Sequence, residues 1–204
     1  LAVIFPEIDA LFGVPQPARW HPEIDCGVHT LMVVQQAARL GGDTTVRFAA
    51  LVHDLGKATT RADDLPSHPG HEKRSVKLIN ALASRLRVPV AFRELAVVVA
   101  EFHTHAHRAF DLKPSTVVRV LERTDAFRRA ERFEQFLLAC EADARGRKGL
   151  EEKPYPQAGF LRGARTAAAK VDTKAIVAEL EETSADGRKI GERVREARIQ
   201  AVAD

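Results

Sequence analysis

The most informative stretch of the sequence is Val46-Arg47-Phe48-Ala49-Ala50-Leu51-Val52-His53-Asp54-Leu55-Gly56-Lys57. Its apolar residues recur at helical spacing and Gly56 is a typical terminator, which predicts a helix with His53 and Asp54 in its last turn. Both side chains can reach one ion only beside the helix end, where the terminal carbonyl groups favour a cation. Because the neighbouring residues are apolar, an ionised Asp54 would be costly without a cation or hydrogen-bond donors. A metal ion would remove that cost. The alternative is that Asp54 caps a neighbouring helix and His53 bonds a backbone carbonyl.

The composition favours a helical globular protein. The 204 residues are 45% hydrophobic, 29% charged and 6% aromatic, which excludes a disordered tail, a collagen-like fibre and a membrane bundle. Alanine, valine, leucine and arginine are plentiful, whereas Tyr, Trp and Met occur once each. This balance favours helix over β-sandwich. We therefore expect an all-α fold.

Helical periodicity recurs on both sides of the central stretch. It predicts helices at about 25–40, 43–56, 71–86, 90–103, 114–127, 131–144, 158–170, 173–183 and 187–202. Prolines make residues 1–24 a short entry helix and a loop, and Gly and Pro residues after 145 mark a sub-domain boundary. The expected organisation is residues 1–24 as entry, 25–145 as a helical bundle and 146–204 as an additional C-terminal helical sub-domain.

The histidines are unevenly distributed along the chain. All eight lie within the first 107 residues, at positions 21, 29, 53, 68, 71, 103, 105 and 107. A lone histidine is more often a hydrogen-bonded core residue than a metal ligand, but the adjacent His53-Asp54 pair offers two ligands to one ion. His29, His53-Asp54, His71 and His103, followed by Asp125, fall on successive predicted helices. This pattern resembles the HD-domain superfamily of metal-dependent phosphohydrolases.

The resemblance implies a helical bundle in which His29, His53, Asp54 and Asp125 bind a divalent metal ion. For the last ligand, Asp125 is favoured over Asp143 because it lies 22 residues after His103, a common interval in the family. We expect Asp143 to form a salt bridge instead, with Arg145 or Arg147 as its partner.

The resemblance also implies a catalytic group consisting of His53, Asp54, Lys57, His71 and His103. His71 and His103 match positions that hold a second metal ion or a phosphate in some members. Lys57 lies just past the helix end and would neutralise charge that develops on phosphate oxygens. The remaining histidines of the 103–107 run, His105 and His107, have no counterpart in the pattern; they could scavenge a metal ion, but we expect them to be solvated.

A closer resemblance rests on several longer runs. They are Leu1-Ala2-Val3-Ile4-Phe5-Pro6-Glu7-Ile8, Trp20-His21-Pro22-Glu23-Ile24-Asp25, His29-Thr30-Leu31, the stretch 46–57, Arg87-Val88-Pro89 and Glu141-Ala142-Asp143-Ala144-Arg145-Gly146-Arg147. Together they are similar to the C-terminal portion of bacterial tRNA nucleotidyltransferases, the CCA-adding enzymes. Because residue 1 is Leu and the only methionine is Met32, we expect the chain to be a piece of a longer protein. The resemblance implies that a nucleotidyltransferase domain precedes this piece in that protein.

This resemblance implies hydrolysis of 2′,3′-cyclic phosphates, 2′-nucleotides and simple phosphomonoesters during maturation and repair of tRNA 3′ ends. Its expected cofactor is a divalent metal, with a transition metal such as nickel preferred and manganese or magnesium as alternatives. Nitrogen ligands support that order, since magnesium favours oxygen. The expected partners are tRNA or other RNA 3′ ends and small phosphate esters.

A second function is open to the same sequence. Lys and Arg are concentrated between Arg119 and Lys170, and the net charge is +3, so the chain could be a non-catalytic helical module that binds tRNA through phosphate contacts. Two cysteines, Cys26 and Cys140, are too few for a disulfide framework, and no apolar run is long enough to span a bilayer. A cytoplasmic location is expected.

Overall fold

The computed structural model describes residues 1–182 and 187–204, and within these ranges the protein is all-α, as predicted. The helices are α1 (Pro6–Asp9), α2 (Cys26–Arg39), α3 (Thr44–Val52), α4 (His71–Arg85), α5 (Val90–His107), α6 (Pro114–Arg123), α7 (Ala130–Arg145), α8 (Pro156–Ala169), α9 (Thr173–Glu182) and α10 (Gly187–Ala203). The last residue of the predicted helix 173–183 lies outside the described residues. An isolated β-bridge joins Pro15 and Asp25.

Two aspartates start the helices that lead to the candidate site. The side chain of Asp25 accepts a hydrogen bond from the backbone N–H of Val28 at 2.8 Å and caps α2. Asp43 caps α3 in the same way through Val46, also at 2.8 Å. Such caps satisfy backbone donors that have no partner within the helix, which fixes where each helix begins.

The helix α3 ends slightly earlier than predicted. Its last residue is Val52, His53 is the C-cap, and the chain continues into a 3₁₀ segment, Leu55–Thr59. Gly56 lets this segment lie against α4, because a Cβ atom there would clash with the carbonyl oxygen of His71 and lie 2.6 Å from the amide nitrogen of Ser75. The close approach holds His53 and Asp54 at the centre of the bundle.

The core is formed chiefly by α2, α3, α5 and α7. The helix α3 packs against the other three, and α4 packs against α5 and the 3₁₀ segment Leu55–Thr59. Leu161 of α8 is fully buried in the same hydrophobic core as Phe133 and Phe136 of α7. The segments before and after residue 145 therefore contribute to the same core. The helix α10 packs against α8 and α6. The three-part division stays a prediction.

Two further features affect the site. The helix α5 continues to His107, four residues beyond the predicted end, so the whole histidine run 103–107 is helical. Among the described residues, no helix combines the length and the apolar character needed to cross a membrane.

Candidate metal centre

Six side chains meet in the interior of the bundle. His29 comes from α2, His53 and Asp54 follow α3, His71 begins α4, His103 lies on α5 and Asp143 lies on α7. All six are buried. We call this group the histidine–aspartate cluster. Two subsets of the cluster could each hold an ion, because one ligand atom per residue lies within 4.8 Å of the others. They are His29 with His53 and Asp143, and His53 with Asp54 and His103.

Three imidazoles of the cluster are held in the same orientation. The Nδ1 atoms of His53, His71 and His103 face backbone carbonyl oxygens, which are those of Ala50 at 2.8 Å, His68 at 2.9 Å and Val99 at 3.0 Å. Because a carbonyl can only accept, each ring carries a proton on Nδ1 and donates it. The opposite nitrogen, Nε2, is then directed into the cluster, and hydrogen bonds to backbone carbonyls orient metal-binding histidines in the same way.

The inward nitrogens converge on one carboxylate. The Nε2 atoms of His53, His71 and His103 lie 3.1, 3.3 and 3.6 Å from oxygens of Asp54. Nε2 of His53, Nε2 of His71 and Oδ1 of Asp54 are buried and have no hydrogen-bond partner among the described residues. Lone pairs of acceptors that face each other are unfavourable unless a cation lies among them. Imidazole nitrogens and carboxylate oxygens are suitable ligands for a divalent transition metal, so the residues fit such an ion.

Protonation of His53 is the other way to relieve this arrangement. Burial disfavours the imidazolium form, but the carboxylates of Asp54 and Asp143 outweigh that effect and raise the pKa of His53 to about 9. By contrast, burial lowers the pKa of His103 to about 3, so that ring is neutral. Either a proton or a metal ion at His53 would supply the positive charge that these carboxylates favour, so metal binding must displace the proton.

Each ring nitrogen of His29 lies beside a carboxylate. Its Nε2 lies 3.0 Å from Oδ1 of Asp143, and its Nδ1 lies 2.8 Å from Oε1 of Glu23. The same Glu23 oxygen lies 3.0 Å from Nδ1 of His21, and the Glu23 side chain is only 2% exposed. Burial alone would raise the pKa of Glu23, but hydrogen bonds from His21 and His29 hold it well below its ordinary value. The sequence pattern does not predict this role, although Glu23 lies within the run Trp20-His21-Pro22-Glu23-Ile24-Asp25.

The structure places Asp125, the predicted last ligand, away from the histidine–aspartate cluster. Asp125 lies beyond the end of α6, where its Oδ1 is 2.7 Å from Nε of Arg128 and its Oδ2 is 3.6 Å from Nε of Arg129. Asp143 joins the cluster in its place because α7 packs against α2 and α3. The expected salt bridge of Asp143 is absent among the described residues, and Arg145 pairs with Glu141 at 2.8 Å.

His107 was also misjudged as solvated. Its side chain is 18% exposed, and its Nε2 lies 2.6 Å from Oδ2 of Asp143. The Tyr155 hydroxyl lies 3.1 Å from Nδ1, and because a carboxylate can only accept, Nε2–H of His107 donates to Asp143. His107 thereby fixes one oxygen of Asp143 and leaves the other, Oδ1, facing His29 and His53. His105 lies apart from the cluster, with Nε2 3.5 Å from Nη2 of Arg119.

Lys57 lies beside the cluster, as expected. Its Nζ is 2.7 Å from Oδ2 of Asp54 and donates to Oε1 of Gln16 at 3.0 Å. Burial disfavours the ammonium form, yet the contact with Asp54 raises the pKa of Lys57 above its ordinary value. Lys57 is therefore a buried, charged group that holds Asp54 ionised.

A cleft of about 1000 Å³ opens beside the cluster. Lys57, His71 and His107 form part of its wall. Several other lining residues are basic or aromatic, namely Trp20, Arg108, Arg145, Arg147, Lys153 and Tyr155, and the wall also includes one carboxylate, Asp111. A concave wall rich in cations favours anionic ligands.

The HD domain family model matches residues 27–130, just over half of the chain, and the chain therefore belongs to the HD domain family. Asp143 lies beyond the matched segment. Relatives that carry the name Multifunctional CCA protein are 59% identical in Thioalkalivibrio sulfidiphilus, 56% in Nitrosococcus oceani and 54% in Alkalilimnicola ehrlichii. These alignments cover 99 to 100% of this chain and 48 to 49% of the relatives, so the chain spans about half the length of the curated relatives it matches. No solved structure matches the chain.

Proposed function

We propose that this chain is a metal-dependent phosphohydrolase that acts on phosphate esters at RNA 3′ ends. The substrates would be 2′,3′-cyclic phosphates, 2′-nucleotides and phosphomonoesters. The observation that carries the proposal is the set of buried, unpartnered acceptor atoms on His53, Asp54 and His71. Membership of the HD domain family supports a metal-dependent hydrolase.

The proposed ligands of the divalent ion are His29, His53, Asp54 and Asp143. Two imidazoles among the ligands favour a transition metal such as nickel over magnesium, with manganese as an intermediate case. A bound ion would polarise a phosphoryl oxygen and lower the pKa of a water molecule. His71 and His103 present Nε2 toward the same carboxylate and are proposed to hold a second ion or a substrate oxygen.

The chain itself supplies charge and position. Lys57 keeps Asp54 ionised and places an ammonium group at the cleft wall, where charge develops on phosphate oxygens. Arg145 and Arg147 lie on the same wall and would orient the phosphate backbone of an RNA end. His107 orients Asp143 through its Nε2–H group.

The names of the relatives support the RNA context. They are multifunctional CCA proteins of about twice this length, so we propose that a nucleotidyltransferase domain precedes this chain and that tRNA is the partner. Cys26 and Cys140 are buried and free, which is compatible with the proposed cytoplasmic location.

The test is a metal-reconstitution assay with bis-p-nitrophenyl phosphate and adenosine 2′,3′-cyclic phosphate. Chelation should abolish hydrolysis, and nickel or manganese should restore it in the wild type but not in Asp54→Asn. Asp125→Asn is the matched control, because Asp125 lies away from the cluster. Equal activity in the wild type and Asp54→Asn would refute the proposal.

Phosphate-backbone binding to tRNA is the second candidate, and the basic residues of the cleft favour it. Neutralising one phosphate-contacting cation should reduce the salt slope of tRNA binding by about 1. Arg147→Gln is the variant to examine, since Arg147 lines the cleft. An unchanged slope in filter binding at several salt concentrations would contradict the contact. The two functions can coexist.

A further inference from the structure

Trp20 lies in a run that carries the family resemblance, but neither that resemblance nor the metal centre gives its side chain a role. It is the only tryptophan in the sequence, and 57% of it is exposed. It lines the same cleft as Lys57 and His71. A single exposed apolar residue needs no explanation on a convex surface, but a large ring in a concave cationic cleft is typical of a ligand site.

Trp20 makes local contacts with its neighbours in sequence. The guanidinium carbon of Arg19 lies 4.8 Å from the centroid of the Trp20 ring, which is a cation–π contact. The backbone N–H of Trp20 donates to the carbonyl oxygen of Pro17 at 3.0 Å. The next residue, His21, packs edge-on against His29 with ring centroids 4.6 Å apart. Trp20 is therefore adjacent in sequence to a side chain that packs against the histidine–aspartate cluster.

The cleft also has room beyond the cluster. Ligand pockets span roughly 300 to 1000 Å³, and this cleft, at about 1000 Å³, lies at the upper end. A phosphate group at the cluster would fill only a fraction of that volume. The ribose and base attached to it would extend along the wall toward the rim.

We propose that Trp20 is the stacking platform for the nucleobase of the nucleotide whose phosphate lies at the metal centre. The proposal rests on the proposed function and adds a substrate preference, for nucleotides over phosphate esters that lack a base. Stacking on an aromatic ring is sequence-tolerant because every base has a π face. The subsite therefore favours an RNA end without selecting a particular base.

The sole tryptophan makes fluorescence a direct measurement of this contact. Adenosine, which has no phosphate to hydrolyse, should quench the emission of the metal-loaded protein in a saturable way, whereas ribose should not. Equal effects of adenosine and ribose would show that no base reaches the ring and would overturn the subsite.

Steady-state kinetics give the second readout. Trp20→Ala should raise KM for adenosine 2′,3′-cyclic phosphate on the order of 5- to 150-fold, the range expected for loss of one stacked base, and leave kcat nearly unchanged. Kinetics with glycerol 2-phosphate, which has no base, should be unaffected. Trp20→Phe should recover most of the lost affinity.

Phe110→Ala is the matched control, since Phe110 is equally exposed at 57% but is not part of the cleft lining. If the wild type hydrolyses both substrates and Trp20→Ala leaves KM for the cyclic nucleotide unchanged, the subsite fails while the proposed function stands. If the metal-loaded wild type hydrolyses neither, the proposed function fails, and the adenosine titration alone decides the subsite.

Discussion

Asp143→Asn and Asp125→Asn form a pair of substitutions that isolates the carboxylate needed for metal binding. Asp143 is 3% exposed, and its oxygens lie 3.0 Å from His29 and 2.6 Å from His107. Asparagine preserves the shape of the side chain and can still accept from His107, so the change removes charge with little effect on packing. Asp125 has φ of 56°, in the left-handed region that Asn tolerates, which makes its asparagine variant an equally mild change.

The size of the expected loss follows from Coulomb energies. Two unit charges 4 Å apart interact by about 4 kcal/mol at an effective dielectric constant near 20, and a divalent ion doubles this to about 8 kcal/mol. The contacts that the carboxylate already makes with His29 and His107 offset several kcal/mol of this energy. About 3 kcal/mol or more remains, which corresponds to a loss of at least about 100-fold in metal affinity.

Isothermal titration calorimetry, in which nickel is added to protein that a chelator has freed of metal, measures this loss of metal affinity. We expect Asp143→Asn to weaken nickel binding by about 100-fold or more, whereas Asp125→Asn should bind nickel as the wild type does. Far-UV circular dichroism should show that both variants are folded. The opposite ranking of the two variants would refute the assignment of Asp143.

Three further predictions follow from particular contacts. Glu23→Gln should weaken nickel binding roughly 10- to 100-fold by removing the anionic partner of His29, and an unchanged titration would contradict this role. Nickel at 100 times its Kd should stabilise the native state by about 2.7 kcal/mol and raise Tm by roughly 5 to 10 °C in a thermal melt, an increase that chelation must reverse. Gly56→Ala should lower the free energy of unfolding by about 3 kcal/mol through its clash with α4, while Gly159→Ala, on the open face of α8, should raise it by about 0.5 to 1 kcal/mol. Urea denaturation that finds the two glycine variants alike would contradict this packing.

The helices and most of the cluster could be predicted because their signals are local. The helices predicted to begin at about residues 25 and 43 are observed from Cys26 and Thr44, with Asp25 and Asp43 as their N-caps. His29 and the His53-Asp54 pair are brought together by the packing of α2 on α3, which are consecutive in the chain. A short connection between antiparallel neighbours leaves little choice of arrangement.

The last carboxylate could not be predicted, because it depends on how a distant helix returns to the bundle. Sequence spacing favoured Asp125, but the chain after α6 leaves that residue among Arg128 and Arg129 at the surface. The return of α7 against α2 places Asp143 beside His29, 114 positions away in sequence. The partners His107 and Tyr155 are likewise fixed only by tertiary packing.

Anomalous diffraction from crystals grown with nickel would show whether the histidine–aspartate cluster holds a metal ion. We expect a strong anomalous peak enclosed by His29, His53, Asp54 and Asp143, which the protein retains after dialysis against metal-free buffer. A peak only at other histidines, or an empty cluster in nickel-saturated crystals, would contradict the claim that these residues form a metal site.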